Sequence, residues 1–105
     1  MDDFSVIYRV LTTLRAQMDL DEPNPDEISA DAYHVSQNRL DSIMAMLSSE
    51  GYVTGVTVTY YGNRRQVLVV SPRITMKGLE YLQENSLMLR AYKLAKGIKE
   101  VVPFI

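Results

Sequence analysis

An α+β fold is predicted for this chain by three observations. Apolar residues recur at helical spacing through the first fifth of the chain and again after Ser36. A β-branched stretch, Tyr52 to Tyr60, is separated by Gly62-Asn63 from a second such stretch, Gln66 to Val70. The helical pattern then resumes behind a Thr at position 75. Strands gathered between helical runs, rather than alternating with them, point to α+β.

The first helix is expected to start at Asp3 as its cap. Phe4, Ile7, Leu11, Leu14 and Met18 form its buried stripe, which Val6 and Val10 widen. Asp19-Leu20-Asp21-Glu22-Pro23-Asn24-Pro25 ends it through acid repulsion and two prolines. A short second helix lies within 25 to 34 and has two readings. Asn24 can cap it with Pro25 first and Glu27 third, or it can begin at Ser29 and leave Ile28 to pair as a short strand against the hairpin. Ser36 caps a third helix with Leu40, Ile43, Met44 and Leu47 on its apolar face, and Gly51 stops it.

The alternation Val56-Thr57-Val58-Thr59 and the turn pair Gly62-Asn63 make the next two segments a hairpin, from Val53 to Val70, that Ser71-Pro72 closes. Thr75 caps a fourth helix burying Leu79 and Leu82, with Asn85 as its stop. A fifth helix runs from Ser86 to Lys99, with Leu87, Ala91, Leu94 and Ile98 on one face. The apolar end Val101-Val102-Pro103-Phe104-Ile105 docks on the domain or meets a second copy, docking being favoured, because free in water it would be a sticky patch.

Composition narrows the classes. At 105 residues the chain fits one domain, and 47% hydrophobic with 23% charged residues is globular. No apolar run approaches the length of a membrane span, the start Met1-Asp2-Asp3 is acidic rather than leader-like, and there is no Cys, so a cytoplasmic location without membrane association is expected. With His34 as the lone histidine, no two-histidine metal site or Ser-His-Asp arrangement can be assembled in one chain, and no Gly-rich phosphate loop follows a strand. No enzyme, no catalytic residue, no cofactor and no metal are expected. His34 reads as a solvent-facing or turn-packing residue. Asp19, Asp21, Glu22, Asp26 and Glu27 read as a solvated linker, their spacing matching no calcium loop.

With the elements placed in the order helix, helix, helix, hairpin, helix, the chain resembles a winged helix: 1–105 as one domain, with 86–105 a C-terminal helical extension. Over Ser36 to Tyr52 (SQNRLDSIMAMLSSEGY) and Ile74 to Lys99 (ITMKGLEYLQENSLMLRAYKLAKGIK) it also looks like a YjcQ-like protein, one of a family of small winged-helix proteins from bacteria and their phages. The resemblance implies the fold and a phage or prophage origin, and brings no activity or site residue with it.

Function is then sought where such scaffolds present polar residues. Gln37, Asn38, Arg39, Asp41 and Ser42 occupy the first turns of the third helix, where Gln and Asn can pair with adenine and Arg with guanine. Arg64 and Arg65 at the hairpin tip, beside Tyr60-Tyr61, suit phosphates or the minor groove. Arg90, Lys93, Lys96 and Lys99 form a slanted basic stripe that can neutralise phosphates or complement a helix C-terminus. The seam at 87, 91, 94 and 98 has heptad spacing suited to a homodimer. Charge is split: residues 1 to 32 sum to −6 and residues 33 to 105 to +4, while the overall pI of about 5.3 disfavours duplex binding. The leading expectation is a non-catalytic protein that binds double-stranded DNA, a transcriptional regulator of phage or prophage type. A protein-interaction module, with a protein partner and no nucleic acid, is the alternative.

Overall fold

The computed structural model describes residues 2–22 and 24–95, with the side chains of Pro25 and of 87–95 outside that description. Helix α1 (Asp3–Ala16) starts one residue earlier than the sequence suggests, because the Asp2 carboxylate accepts the Ser5 N–H at 2.8 Å and is itself the cap. That backbone hydrogen bond holds the Asp2 carboxyl below its ordinary range. The buried face is rotated as well. Val6, Val10, Leu11, Leu14 and, one turn on, Gln17 are buried, with Ile7 packed beside them, while Phe4 and Met18 face out. Residues 6, 10, 14 and 17 keep the same three-and-four spacing as the expected stripe, so periodicity alone does not choose between the two.

The acidic segment is organised by Gln17. Its Nε2 donates to the Asn24 carbonyl at 2.8 Å and to Glu27 Oε2 at 3.0 Å, and its Oε1 accepts the Asn24 N–H at 3.0 Å. A buried amide with its polar atoms satisfied in this way stabilises the chain reversal after α1. Both readings of the second helix are realised in part. Asn24 Oδ1 accepts the Asp26 N–H over a single 3₁₀ turn, Pro25–Glu27, and Ser29 Oγ caps α2 (Ala30–Tyr33) by accepting the Ala32 N–H. Ile28 forms no strand. The described sheet has two strands, and Ile28 instead packs its side chain on the core.

Helix α3 (Gln37–Ser49) has the expected cap, Ser36, and the expected buried face, Leu40, Ile43, Met44 and Leu47. It ends at Gly51, φ 82, where Tyr52 N–H reaches the Leu47 carbonyl and Gly51 N–H reaches that of Ser48, a Schellman ending that needs the left-handed conformation. Strands β1 (Val53–Tyr61) and β2 (Arg64–Ile74) pair antiparallel from Val53↔Ile74 to Tyr61↔Arg64 across Gly62-Asn63, with φ 62 at Gly62. β2 does not stop at Ser71-Pro72. The register breaks between Thr54 and Val56, leaving Val70, Ser71 and Pro72 opposite Gly55, so the missing N–H of Pro72 costs no ladder bond and the strand resumes. Gly55 is required there: φ is 80, and a Cβ would lie 1.9 Å from the Ser71 carbonyl oxygen.

Helix α4 (Met76–Ala95) is continuous through Asn85, which was expected to end it. The Asn85 side chain donates to the Tyr81 carbonyl at 2.8 Å, so its amide is satisfied within the helix rather than competing with it. Leu82 is buried and Leu79 half-buried. The faces expected for Leu87, Ala91, Leu94 and Ile98, and the tail from Val101 to Ile105, lie outside the described side chains.

One cluster forms the core. Val6, Val10, Leu11 and Leu14 of α1 meet Tyr33 of α2, the α3 face, Val53 and Leu82, with Val56, Val67 and Val69 of the hairpin's inner face against it. Ile43 is 1% exposed and Phe4 74%. Ile43→Ala should therefore cost about 2–4 kcal/mol in chemical denaturation through lost burial and a cavity. Phe4→Ala should stay within about 0.5 kcal/mol, as a surface substitution does. Equal effects at the two positions would contradict this assignment of the core face.

Candidate functional site

The surface that brings the sequence-predicted residues together is set by how α3 is aimed. Tyr33, on α2, is 1% exposed, its hydroxyl 3.4 Å from Thr13 Oγ1 and its ring under the Arg9 guanidinium at 5.4 Å. The next residue, His34, adopts φ 56. Its N–H reaches the Asp31 carbonyl while Val35 N–H reaches that of Ala30, closing α2 with the hydrogen bonds usually given to a glycine ending. His34 is exposed and works as the turn residue. Two residues later Ser36 Oγ accepts the Arg39 N–H at 3.1 Å, and α3 begins.

Four of the five candidates on α3, Gln37, Arg39, Asp41 and Ser42, have a side-chain hydrogen bond. Gln37 Nε2 donates to Asp41 Oδ1 at 2.8 Å one turn along. Asn38 is exposed, and its carbonyl accepts the Ser42 hydroxyl at 3.0 Å. Arg39 Nη1 lies 3.0 Å from Asp3 Oδ1 and 3.2 Å from Oδ2, an ion pair to the start of α1. From the hairpin, Arg65 Nη2 donates to Ser42 Oγ at 2.9 Å. Arg65 thus joins α3 to the tip of the hairpin, and beside this bridge opens a cleft of ≈ 430 Å³ lined by Asp41, Tyr61, Arg64, Arg65, Gln66 and Val67. Arg64 is exposed in register with Tyr61, and Tyr60 and Tyr61 are 67% and 64% exposed. The structure therefore gathers Gln37, Asn38, Asp41, Ser42, Arg64 and Arg65 on one surface and turns Arg39 toward α1. Arg90 and Lys93 lie on α4 with side chains outside the description, and Lys96 lies beyond the described residues.

The electrostatics follow from these contacts. Of the two arginines gathered, Arg65 is hydrogen-bonded to a hydroxyl and Arg64 is exposed, Asp41 contributes the opposite sign in the cleft, and Arg39, outside it, is neutralised by Asp3. Positive charge is concentrated at the hairpin tip. Asp3 was missed as part of this site because it is 36 positions from Arg39, and no local pattern links them. In the acidic linker the Glu27 carboxylate accepts from Gln17 Nε2. Among the described residues no three His, Asp or Glu side chains gather as metal ligands would, and no helix is long and apolar enough to cross a membrane.

Comparison with known proteins places the chain. The YjcQ protein family model matches residues 8–101, and the chain belongs to that family. It is 36% identical over 66 residues, 63% of this chain and 68% of the relative, to "Uncharacterized protein YjcQ" of Bacillus subtilis (strain 168). The solution NMR structure of the YjcQ protein from Bacillus subtilis aligns at 26% identity and a TM-score of 0.46, over 76% of this chain and 91% of that one.

Tyr33 is the anchor that aims α3, and its titration offers a direct check. Burial raises its hydroxyl above the ordinary 10.0, so the fold favours the protonated phenol. Its stabilising contribution is complete below pH 10 and is lost as pH rises through the higher folded value. Tyr33→Phe should cost less than about 1.5 kcal/mol at neutral pH, since it removes one long hydrogen bond. Urea midpoints between neutrality and strongly alkaline pH should fall less steeply in the variant than in the parent. An unchanged alkaline slope would show that Tyr33 is not buried as described.

Proposed function

We propose that the chain is a winged-helix protein that binds double-stranded DNA without catalysis, using α3 as the major-groove element and the β1–β2 hairpin as the wing. The observation that carries this reading is the Arg65–Ser42 hydrogen bond. It makes the polar first turns of α3 and the arginines of the wing tip one continuous surface. Gln37, Asn38, Asp41 and Ser42 stand where such a helix meets base edges, and Arg64 and Arg65 stand where phosphates flank the groove. The turn at His34, which joins α2 to α3, is consistent with this use of the scaffold. The stripe of Arg90, Lys93 and Lys96, and a homodimer through the end of α4, would extend the phosphate contacts. Absence of catalysis rests on composition, with one His and no Cys.

A protein-interaction surface is the second reading, and one arrangement favours it. Arg39 is paired with Asp3, so positive charge does not run unbroken from α3 to the wing, while Tyr60, Tyr61, Leu68 and Val70 are exposed on the hairpin. Exposed Tyr beside Arg is the composition of binding hot spots between proteins.

Titration of duplex DNA at about 50 mM and about 200 mM salt separates the two. Arg64→Ala with Arg65→Ala should weaken binding to all sequences and reduce the log–log salt slope by about 1 to 2, because each lost phosphate contact removes about 0.9. Gln37→Ala should instead relax preference at one base pair, a loss of about 1–3 kcal/mol in discrimination. A parent protein with no affinity for any duplex at the lower salt would end the DNA reading and leave the protein-interaction surface.

A further inference from the structure

Helix α3 carries a single basic side chain, Arg39, and it is already engaged by an anion. Its Nη1 contacts both carboxylate oxygens of Asp3, at 3.0 and 3.2 Å. The pair stands at the mouth of an open concavity of ≈ 460 Å³ lined by Asp2, Asp3, Val35, Ser36 and Arg39. A carboxylate offers a guanidinium the same planar pair of acceptor oxygens that a phosphate does. Asp3 therefore presents to Arg39 the kind of paired oxygen acceptor that a phosphate would present.

We infer that Asp3 is an internal competitor for phosphate, holding the only cation of α3 in a self-bound state and grading the affinity of this surface for polyanions. The inference rests on the duplex reading above. Asp2, not Asp3, caps α1, so the Asp3 carboxylate is not needed to satisfy the helix end. The two side chains are 57% and 52% exposed, so the pair is solvated, weak and exchangeable. A phosphate can displace the carboxylate, and Asp3 then remains as a like charge beside it. Both effects lower affinity, and both vanish when Asp3 is neutral. The acidic start of the chain, which sets the low pI, thereby acts directly on the one surface where charge decides binding.

The test is fluorescence anisotropy with a duplex of about 20 base pairs at about 50 mM and about 200 mM salt, on the parent, Asp3→Asn, Asp26→Asn as an equal charge change away from Arg39, Arg39→Ala and the Asp3→Asn/Arg39→Ala double variant. A thermal melt of each confirms that it is folded. Asp3→Asn should bind about three- to tenfold tighter at the lower salt, with a log–log salt slope steeper by about one phosphate contact. Asp26→Asn should stay within about twofold of the parent, and the gain should disappear in the Arg39→Ala background. If Asp3→Asn binds no tighter than Asp26→Asn, or if its gain survives undiminished without Arg39, the inference is wrong while the duplex reading stands. If only Asp3→Asn binds, the competition at Arg39 is supported while the parent's duplex reading fails. If no variant binds at the lower salt, both fall together.

Discussion

The hydroxyl of Thr75 is the contact on which the relation between helix and hairpin depends. It donates to the Gly51 carbonyl at 2.6 Å, where α3 ends, and accepts the Gly78 N–H at 3.1 Å, where α4 begins. The Thr75 N–H meanwhile reaches the Tyr52 carbonyl at 3.1 Å. Lys77 doubles the link, donating to the Glu50 carbonyl at 2.7 Å with its ammonium 5.1 Å from the centre of the Tyr52 ring, and Tyr52 packs on Tyr81. Gly78 lets the backbones close, since a Cβ there would lie 2.5 Å from the Tyr52 carbonyl oxygen. The C-terminus of one helix, both ends of the hairpin base and the N-terminus of another helix are thus joined at one point. Side chains at the start of α4 thus satisfy carbonyls at the end of α3, and Thr75 also caps α4 itself.

From that fixed base the hairpin projects along α3, and the register carries Arg65 to the same face as Val67 and Val69, toward Ser42. The cleft at its tip follows from this geometry rather than from any property of the turn. The other end of α3 is set by Tyr33 and the left-handed His34. The helix is therefore constrained at both termini by side chains outside it, and Gln37 and Asn38 of its polar face are exposed. Charge is distributed by the same packing. The acidic start of the chain is brought across to α3 and neutralises Arg39, which leaves the hairpin tip as the basic end of the surface.

The elements most fully announced by the sequence are those with two independent local signals. Ser36 and Gly51 bracket α3 at both ends, and a cap, a glycine stop and an unbroken apolar face all agree there. Gly62-Asn63 between β-branched runs gives the hairpin and its register. The face of α1 was less legible, because its apolar residues cover more than half the helix and only the neighbours decide which part is buried. Proline at 72 and Asn at 85 read as stops, yet both are absorbed, one by a register break opposite Gly55 and the other by a bond to the preceding turn. The candidate surface was legible as a set of residues, since Gln37 to Ser42 and Arg64-Arg65 lie on elements the sequence identifies. Their partners were not, because Asp3–Arg39 and Ser42–Arg65 are 36 and 23 positions apart and exist only once the core has formed.

Amide hydrogen exchange in Thr75→Val is the most direct test that the Thr75 junction holds the hairpin to α3. The substitution keeps the shape and removes the hydroxyl, leaving the Gly51 carbonyl and the Gly78 N–H without their partner, a loss of about 1–3 kcal/mol. Protection should fall together in the last turn of α3, the base of the hairpin at Val53 and Ile74 and the first turn of α4, with the α1 amides changed only by the global loss of stability. Loss confined to the Gly78 amide, with the end of α3 and the hairpin base as protected as in the parent, would contradict it.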